Sequence, residues 1–264
     1  KGLICPNASM YSRKVIDELT EYLKQYFNAK GLAWMKCVEG KLDGGISKFF
    51  PEAVQKEIIS DFNIENDHII FLVGDNADTV YSSLGALRLE LGKRENLIDK
   101  NVWAPLWVTD FPLVEWNEDQ NRWDALHHPF TSPNLEDMEK IETDPGNVRS
   151  LGYDVVMNGY ELGGGSIRIY NKNLQSKIFT LLGIEDEEAQ EKFGFLMNAF
   201  SYGAPPHGGM AFGFDRIVML LAGSNQIRDV IAFPKTTSAL SLMDQSPSPV
   251  SETQLKELHL SIIE

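Results

Sequence analysis

The 264-residue sequence predicts an α+β fold in two parts, and three observations point to it. Residues 1–98 alternate helix-spaced and strand-spaced apolar residues. Residues 102–264 open on strand signals and hold Asn158-Gly159 between apolar runs, the strongest short-range sign of a β-hairpin. A glycine-rich stretch at 203–213 then leads into a helix-spaced run that stops at Gly223. An antiparallel sheet with helices against it follows for the second part, and a smaller α+β unit for the first.

In the first part, Ser12 is placed to cap a helix with Ile16, Leu19, Leu23 and Tyr26 on one face, closed by Gly31. Leu32 to Val38 and Ile69 to Val73 read as short buried strands. Ala77, Val80, Leu84, Leu87 and Leu91 line a further helix that Gly92 stops, and the charged stretch Lys93 to Lys100 reads as a link. In the second part, Trp103 to Phe111 is an apolar strand broken by Pro105 and Pro112. Glu136 to Glu142 reads as a solvated charged helix or loop, and 171–182 and 186–201 have helical spacing. Ile227 to Phe233 reads as a strand end, and Asp244 to Ser251 as a loop before a short last helix.

Composition excludes several classes. No run of 18 apolar residues exists, and the start lacks a basic-then-apolar leader pattern, so a soluble, cytosolic chain without membrane contact is expected. Two cysteines, Cys5 and Cys37, are too few for a disulfide framework or a thiolate metal site. A formal net charge of −14 argues against a nucleic-acid binder that works by overall charge.

The hairpin carries chemistry. A two-residue turn at Asn158-Gly159 pairs Met157 with Tyr160 and Val156 with Glu161, and sets Asp154 opposite Gly163. Asp154 and Glu161 then share a face, where two carboxylates favour a cation between them; a Mg²⁺ arriving with a nucleotide suits that pair. A lysine or water satisfying two edge carboxylates answers the same pattern. Arg168 lies seven residues past Glu161, and strict alternation would put the two on opposite faces. A bulge held by Gly163, Gly164 and Gly165 would restore them to one face.

At residues 213–216, Asp215 suits the first turn of a helix, whereas the cation Arg216 opposes the macrodipole there. A bound anion would account for Arg216, because a helix N-terminus and a guanidinium both attract phosphates; a surface pairing with Asp215 is the simpler alternative. His127 and His128 are adjacent, without a third ligand at metal spacing, and Pro129 makes the segment a loop or edge. His207 reads equally as an ordinary hydrogen-bonded histidine.

Gly-Phe-Asp-Arg (213–216) after Gly-Ala-Pro-Pro-His-Gly-Gly (203–209) resembles the third signature motif of class II aminoacyl-tRNA synthetases, in the form of the bacterial-type aspartyl-tRNA synthetase family. Residues 111–133, from Phe-Pro-Leu-Val-Glu to His-His-Pro-Phe-Thr-Ser-Pro, resemble that family's histidine loop, and residues 152–169 its central active-site hairpin. Ala-Lys-Gly-Leu-Ala-Trp (29–34) and the Gly85-Ala-Leu-Arg-Leu run resemble its insertion domain. The resemblance implies a class II synthetase-type sheet over 102–264 and an insertion domain over 1–98. It implies ATP and Mg as cofactors, and L-aspartate and tRNA as partners of a homodimeric parent. Arg216 and Glu161 are the implied catalytic residues. Gly213, Phe214, Asp215 and Arg216 with Glu161 would bind ATP, and His127 and Arg168 aspartate. His128, Gly164 and Ser166 are additional candidates, and Asp154 with Glu161 would hold Mg. The family's first and second motifs and its anticodon-binding barrel have no counterpart here, which implies a fragment inactive alone. Rival readings are an asparaginyl-tRNA synthetase-like ligase and a non-catalytic tRNA-amidotransferase or scaffold protein that shares the insertion module.

Overall fold

The computed structural model describes residues 1–99 and 101–263, and the chain divides into two compact units, Lys1–Val102 and Trp103–Glu264. The first unit runs β1 (Gly2–Cys5), α1 (Arg13–Phe27), β2 (Ala33–Val38), β3 (Lys41–Asp43), α2 (Glu52–Asp61), β4 (Ile69–Leu72) and α3 (Ala77–Arg94). Its strands form one antiparallel sheet in the order β1-β4-β2-β3. Ser12 caps α1 by accepting from Val15 N, as its residue type favours. The helix buries Ile16, Leu19 and Leu23 with Leu84, Leu87 and Leu91 of α3 over the sheet residues Ile69 and Phe71.

Local chemistry corrects several expectations here. Asn28, in the left-handed region at φ 56°, ends α1 before Gly31 is reached, and Tyr26 turns out to solvent. Gly92 lies inside α3, because the helix continues through Lys93 and Arg94. The expected link therefore begins inside a helix, and its end, Lys100, lies outside the described residues. Strands β1 and β3 and helix α2 add to the elements read from the sequence; β1 is apolar at Leu3, Ile4 and Cys5 but only four residues long, and β3 has three residues.

The second unit runs β5 (Pro105–Thr109), β6 (Val114–Asn117), β7 (Arg122–Ala125), α4 (Lys140–Thr143), β8 (Gly152–Met157), β9 (Tyr160–Ile167), α5 (Lys172–Leu181), α6 (Asp186–Ser201), β10 (Gly208–Phe212), α7 (Phe214–Leu221) and α8 (Glu252–Glu257). Its main sheet is antiparallel in the order β10-β9-β8-β5, with β6-β7 as a separate ribbon. Pro105 opens β5, where a missing N–H is tolerated, and that strand forms one edge of the sheet. Ile178 of helix α5 and Leu182 just after it pack against Leu113, Val114 and Ile169, and Phe179 packs against Met197 and Phe200 of α6. Ser251 and Gln254 form a reciprocal capping box at α8. Ile227–Asp229 is a single 3-10 turn, not the expected strand end. Among the described residues no helix is long and apolar enough to cross a membrane.

Within the expected solvated stretch, Asp137 is buried. It accepts from Arg149 Nε at 2.7 Å, from Arg149 N at 3.1 Å and from Lys140 Nζ at 2.6 Å. The Arg149 guanidinium, then Lys140, hold its carboxyl well below the usual carboxylate range. A depressed folded pKa adds stability that is present above the unfolded value and lost as pH falls through the folded one. Asp137→Asn is therefore expected to lower Tm at pH 7. The gap to wild type should narrow below about pH 4, where the unfolded carboxylate protonates. Thermal melts across pH 3 to 7 check this; a constant gap would contradict it.

Candidate functional site

The site is built on the β8-β9 hairpin. Asn158 and Gly159 both take positive φ, 51° and 85°, as a tight primed turn requires. Met157 pairs with Tyr160 and Val156 with Glu161. Then the register shifts: Val155 pairs with Gly163, Asp154 with Gly164 and Gly152 with Ser166. One step along β8 is matched by two along β9, so Leu162 is the extra residue of a bulge. The bulge exists but sits just before the glycines, and Asp154 consequently faces Gly164 instead of Gly163. Paired residues share a face, so Asp154, Glu161, Gly164, Ser166 and Arg168 all point to one side of the sheet.

The bulge is tied down from the helix that follows β10. Leu162 O accepts from Gly213 N at 2.7 Å, and Glu161 O accepts from Arg216 Nη1 at 2.7 Å. The same guanidinium nitrogen lies 3.6 Å from Glu161 Oε1, so the partner of Arg216 is Glu161 and not Asp215. Helix α7 turns about 100° per residue, which brings Gly213 and Arg216 to the cavity and directs Phe214 and Asp215 away from it. The glycines leave room for neighbours. A Cβ on Gly164 would stand 2.1 Å from Asp154 Oδ1, and one on Gly165 1.9 Å from Gly209 O of β10.

Residues 127–133 close another side. Thr131 forms a bridge with Arg168, and its hydroxyl donates to Ser166 Oγ at 3.2 Å. Ser132 N donates to Ile167 O, and Ile169 N to Phe130 O, both at 2.9 Å. His127 meets Phe111 edge-on with centroids 4.6 Å apart. His128 Nδ1 accepts from Phe130 N at 3.2 Å; burial, then the nearby Arg168 charge, keep its imidazole below the ordinary value and favour the neutral ring. Arg168 Nη1 is buried without any hydrogen-bond partner in the protein.

Together these residues line an open cavity of about 460 Å³. His127, His128, Asp154, Glu161, Gly164, Ser166, Arg168, Gly213 and Arg216 line it; Phe214 and Asp215 do not. Thr131, Leu162, Ala211 and Phe212 also line it and were not singled out from the sequence. His207 is held locally, with Nδ1 2.9 Å from Pro205 O. The cavity thus offers two guanidiniums, two carboxylates, two imidazoles and a floor of bare backbone. An orphaned buried guanidinium nitrogen calls for an anionic acceptor, and a pair of carboxylates suits a hard divalent cation.

The profile of the tRNA synthetases class II (D, K and N) matches residues 10–237. The Aspartate--tRNA(Asp/Asn) ligase of Anoxybacillus flavithermus is 54% identical over 255 residues, which span 97% of this chain and 43% of that protein. The Aspartate--tRNA ligase of Halalkalibacterium halodurans is 55% identical over 264 residues, 100% of this chain and 44% of that protein. The chain therefore spans less than half the length of these relatives. Among solved structures, the aspartyl tRNA synthetase from Entamoeba histolytica aligns with 70% of this chain and 30% of its own, at 23% identity and a TM-score of 0.43. The chain belongs to the class II tRNA synthetases of the D, K and N group.

Proposed function

We propose that the protein containing this chain is an aspartate–tRNA ligase. It would use ATP to convert L-aspartate to aspartyl-adenylate and would then pass the aspartyl group to the terminal adenosine of tRNA. The observation that carries this reading is the unpartnered Nη1 of Arg168, buried in a cavity shared with Arg216, Asp154 and Glu161. A guanidinium fork matches the aspartate side-chain carboxylate; asparagine would set amide donors against arginine donors. Its place beside His128 and Thr131 leaves Arg216, at the start of α7, to face the nucleotide phosphates.

In the first step the aspartate α-carboxylate oxygen bonds to the α-phosphorus and pyrophosphate leaves with the electrons of the broken P–O bond. No protein nucleophile is needed; the chain positions the reactants and offsets charge. Asp154 and Glu161 would hold the Mg²⁺ that accompanies ATP, and that ion would neutralise phosphate charge. Glu161 also keeps Arg216 in place through its own carbonyl. The family resemblance further implies a cytoplasmic, homodimeric whole protein.

The test is ATP–pyrophosphate exchange by the full-length protein with L-aspartate, L-asparagine and L-lysine in turn. Exchange with aspartate alone is expected. Exchange with asparagine in its place would favour the asparaginyl rival, and none with any amino acid would favour the scaffold reading. Charging of aspartate and asparagine tRNA transcripts then settles whether one tRNA or two are served.

A further inference from the structure

The loop that brings His127 and His128 to the cavity is fixed through three successive carbonyls. His128 O accepts from Thr131 N at 3.0 Å within the turn, and Phe130 O accepts from Ile169 N at 2.9 Å. Between them, Pro129 O accepts from the side-chain amide of Gln175 on α5, with Nε2 at 2.8 Å. Gln175 is fully buried, in the first half of a helix whose neighbouring buried residues are apolar. A buried amide in such a place is disfavoured unless it has a task.

Its other polar atom shows that the task lies on one side only. Gln175 Oε1 is buried and has no hydrogen-bond partner, so the amide is retained for its donor. That donor reaches the carbonyl of the residue that follows His128, the histidine that lies within electrostatic reach of Arg168. Gln175 also belongs to the helix that Asn171 caps directly after β9. One side chain thereby links the strand end bearing Arg168 to the turn bearing His128.

We propose that Gln175 is a positioning residue for amino-acid recognition, holding the His127–His128 turn at the distance from Arg168 that the substrate requires. The proposal rests on the aspartate-activating function set out above. Gln175 touches no substrate; it acts through Pro129. Its donor supports only the amino-acid side of the cavity, because Arg216 is fixed separately by Glu161.

The experiment uses Gln175→Met in the full-length protein, a swap of similar length that removes the donor and the orphan acceptor together. The KM for aspartate in pyrophosphate exchange is expected to rise by about three- to ten-fold, the size of one lost neutral hydrogen bond, with the KM for ATP unchanged. Hydrogen–deuterium exchange is expected to quicken in residues 127–133 but not in α5 or α6. If wild type fails to activate aspartate, the functional reading falls, while the exchange measurement still judges the link between Gln175 and the turn. If wild type is active but the variant leaves both KM values alone, raises them equally, or leaves 127–133 as protected as before, the positioning role is wrong. Should Gln175→Met not fold, Gln175→Asn, which keeps the amide but withdraws it by one methylene, carries the same measurements with the same expected split.

Discussion

Inserting one residue between Val155 and Val156 in the full-length protein is expected to abolish aspartate-dependent pyrophosphate exchange. Leu162 is the residue that lets β9 gain one step on β8, and Gly164, Ser166 and Arg168 share a face with Glu161 only because of that step. An extra residue on β8 would give Leu162 a partner and make the alternation regular. Glu161 would then keep its face while Asp154, Ser166 and Arg168 turn to the other, or the reverse. Leu162→Ala keeps the residue count and so the faces. It should lose stability, by about 2–5 kcal/mol for a buried leucine, yet retain measurable exchange at low temperature. Comparable activity in the insertion and the alanine variant would show that the bulge does not organise the site.

Arg168→Gln is expected to raise the KM for aspartate by roughly ten- to a hundred-fold and the KM for ATP by far less. The variant loses charge-assisted hydrogen bonds worth roughly 1.5 to 3 kcal/mol. Arg168→Lys should restore little, because an ammonium has one point of charge where a carboxylate is met by a planar fork. Discrimination against asparagine should also weaken, since the site would no longer leave a charge unpaired with the amide. Steady-state exchange with both amino acids measures all three. Equal changes for aspartate and ATP would remove Arg168 from amino-acid recognition.

Signals that act over a few residues were legible in the sequence. The Asn158-Gly159 turn and the first two pairs of the hairpin follow from turn chemistry, and α6 occupies the expected residues 186–201. The need for a bulge was legible as well, because the family resemblance puts Glu161 and Arg168 in one pocket and the odd spacing between them then demands an extra residue. Its location was not: counting fixes how many residues are extra, whereas the carbonyl contacts of Leu162 with Gly213 decide which one. Asp137 shows the same limit. Its composition reads as a solvated run, and only the fold brings Arg149, twelve positions away, onto its carboxylate. Thr131, Ala211 and Phe212 reach the cavity through the pairing of distant strands, for which no spacing rule exists.

The glycines of β9 leave the centre of the cavity floor without side chains, and its contour is drawn by peptide groups and by the Asp154 carboxylate resting where a Cβ of Gly164 would be. A surface of that kind has no adjustable parts. Point substitution can only obstruct it, so it is poor ground for redesign. Any retuning of which amino acid the pocket accepts has to be written into the side chains of its walls, His127, His128, Thr131 and Arg168, against a base that stays constant.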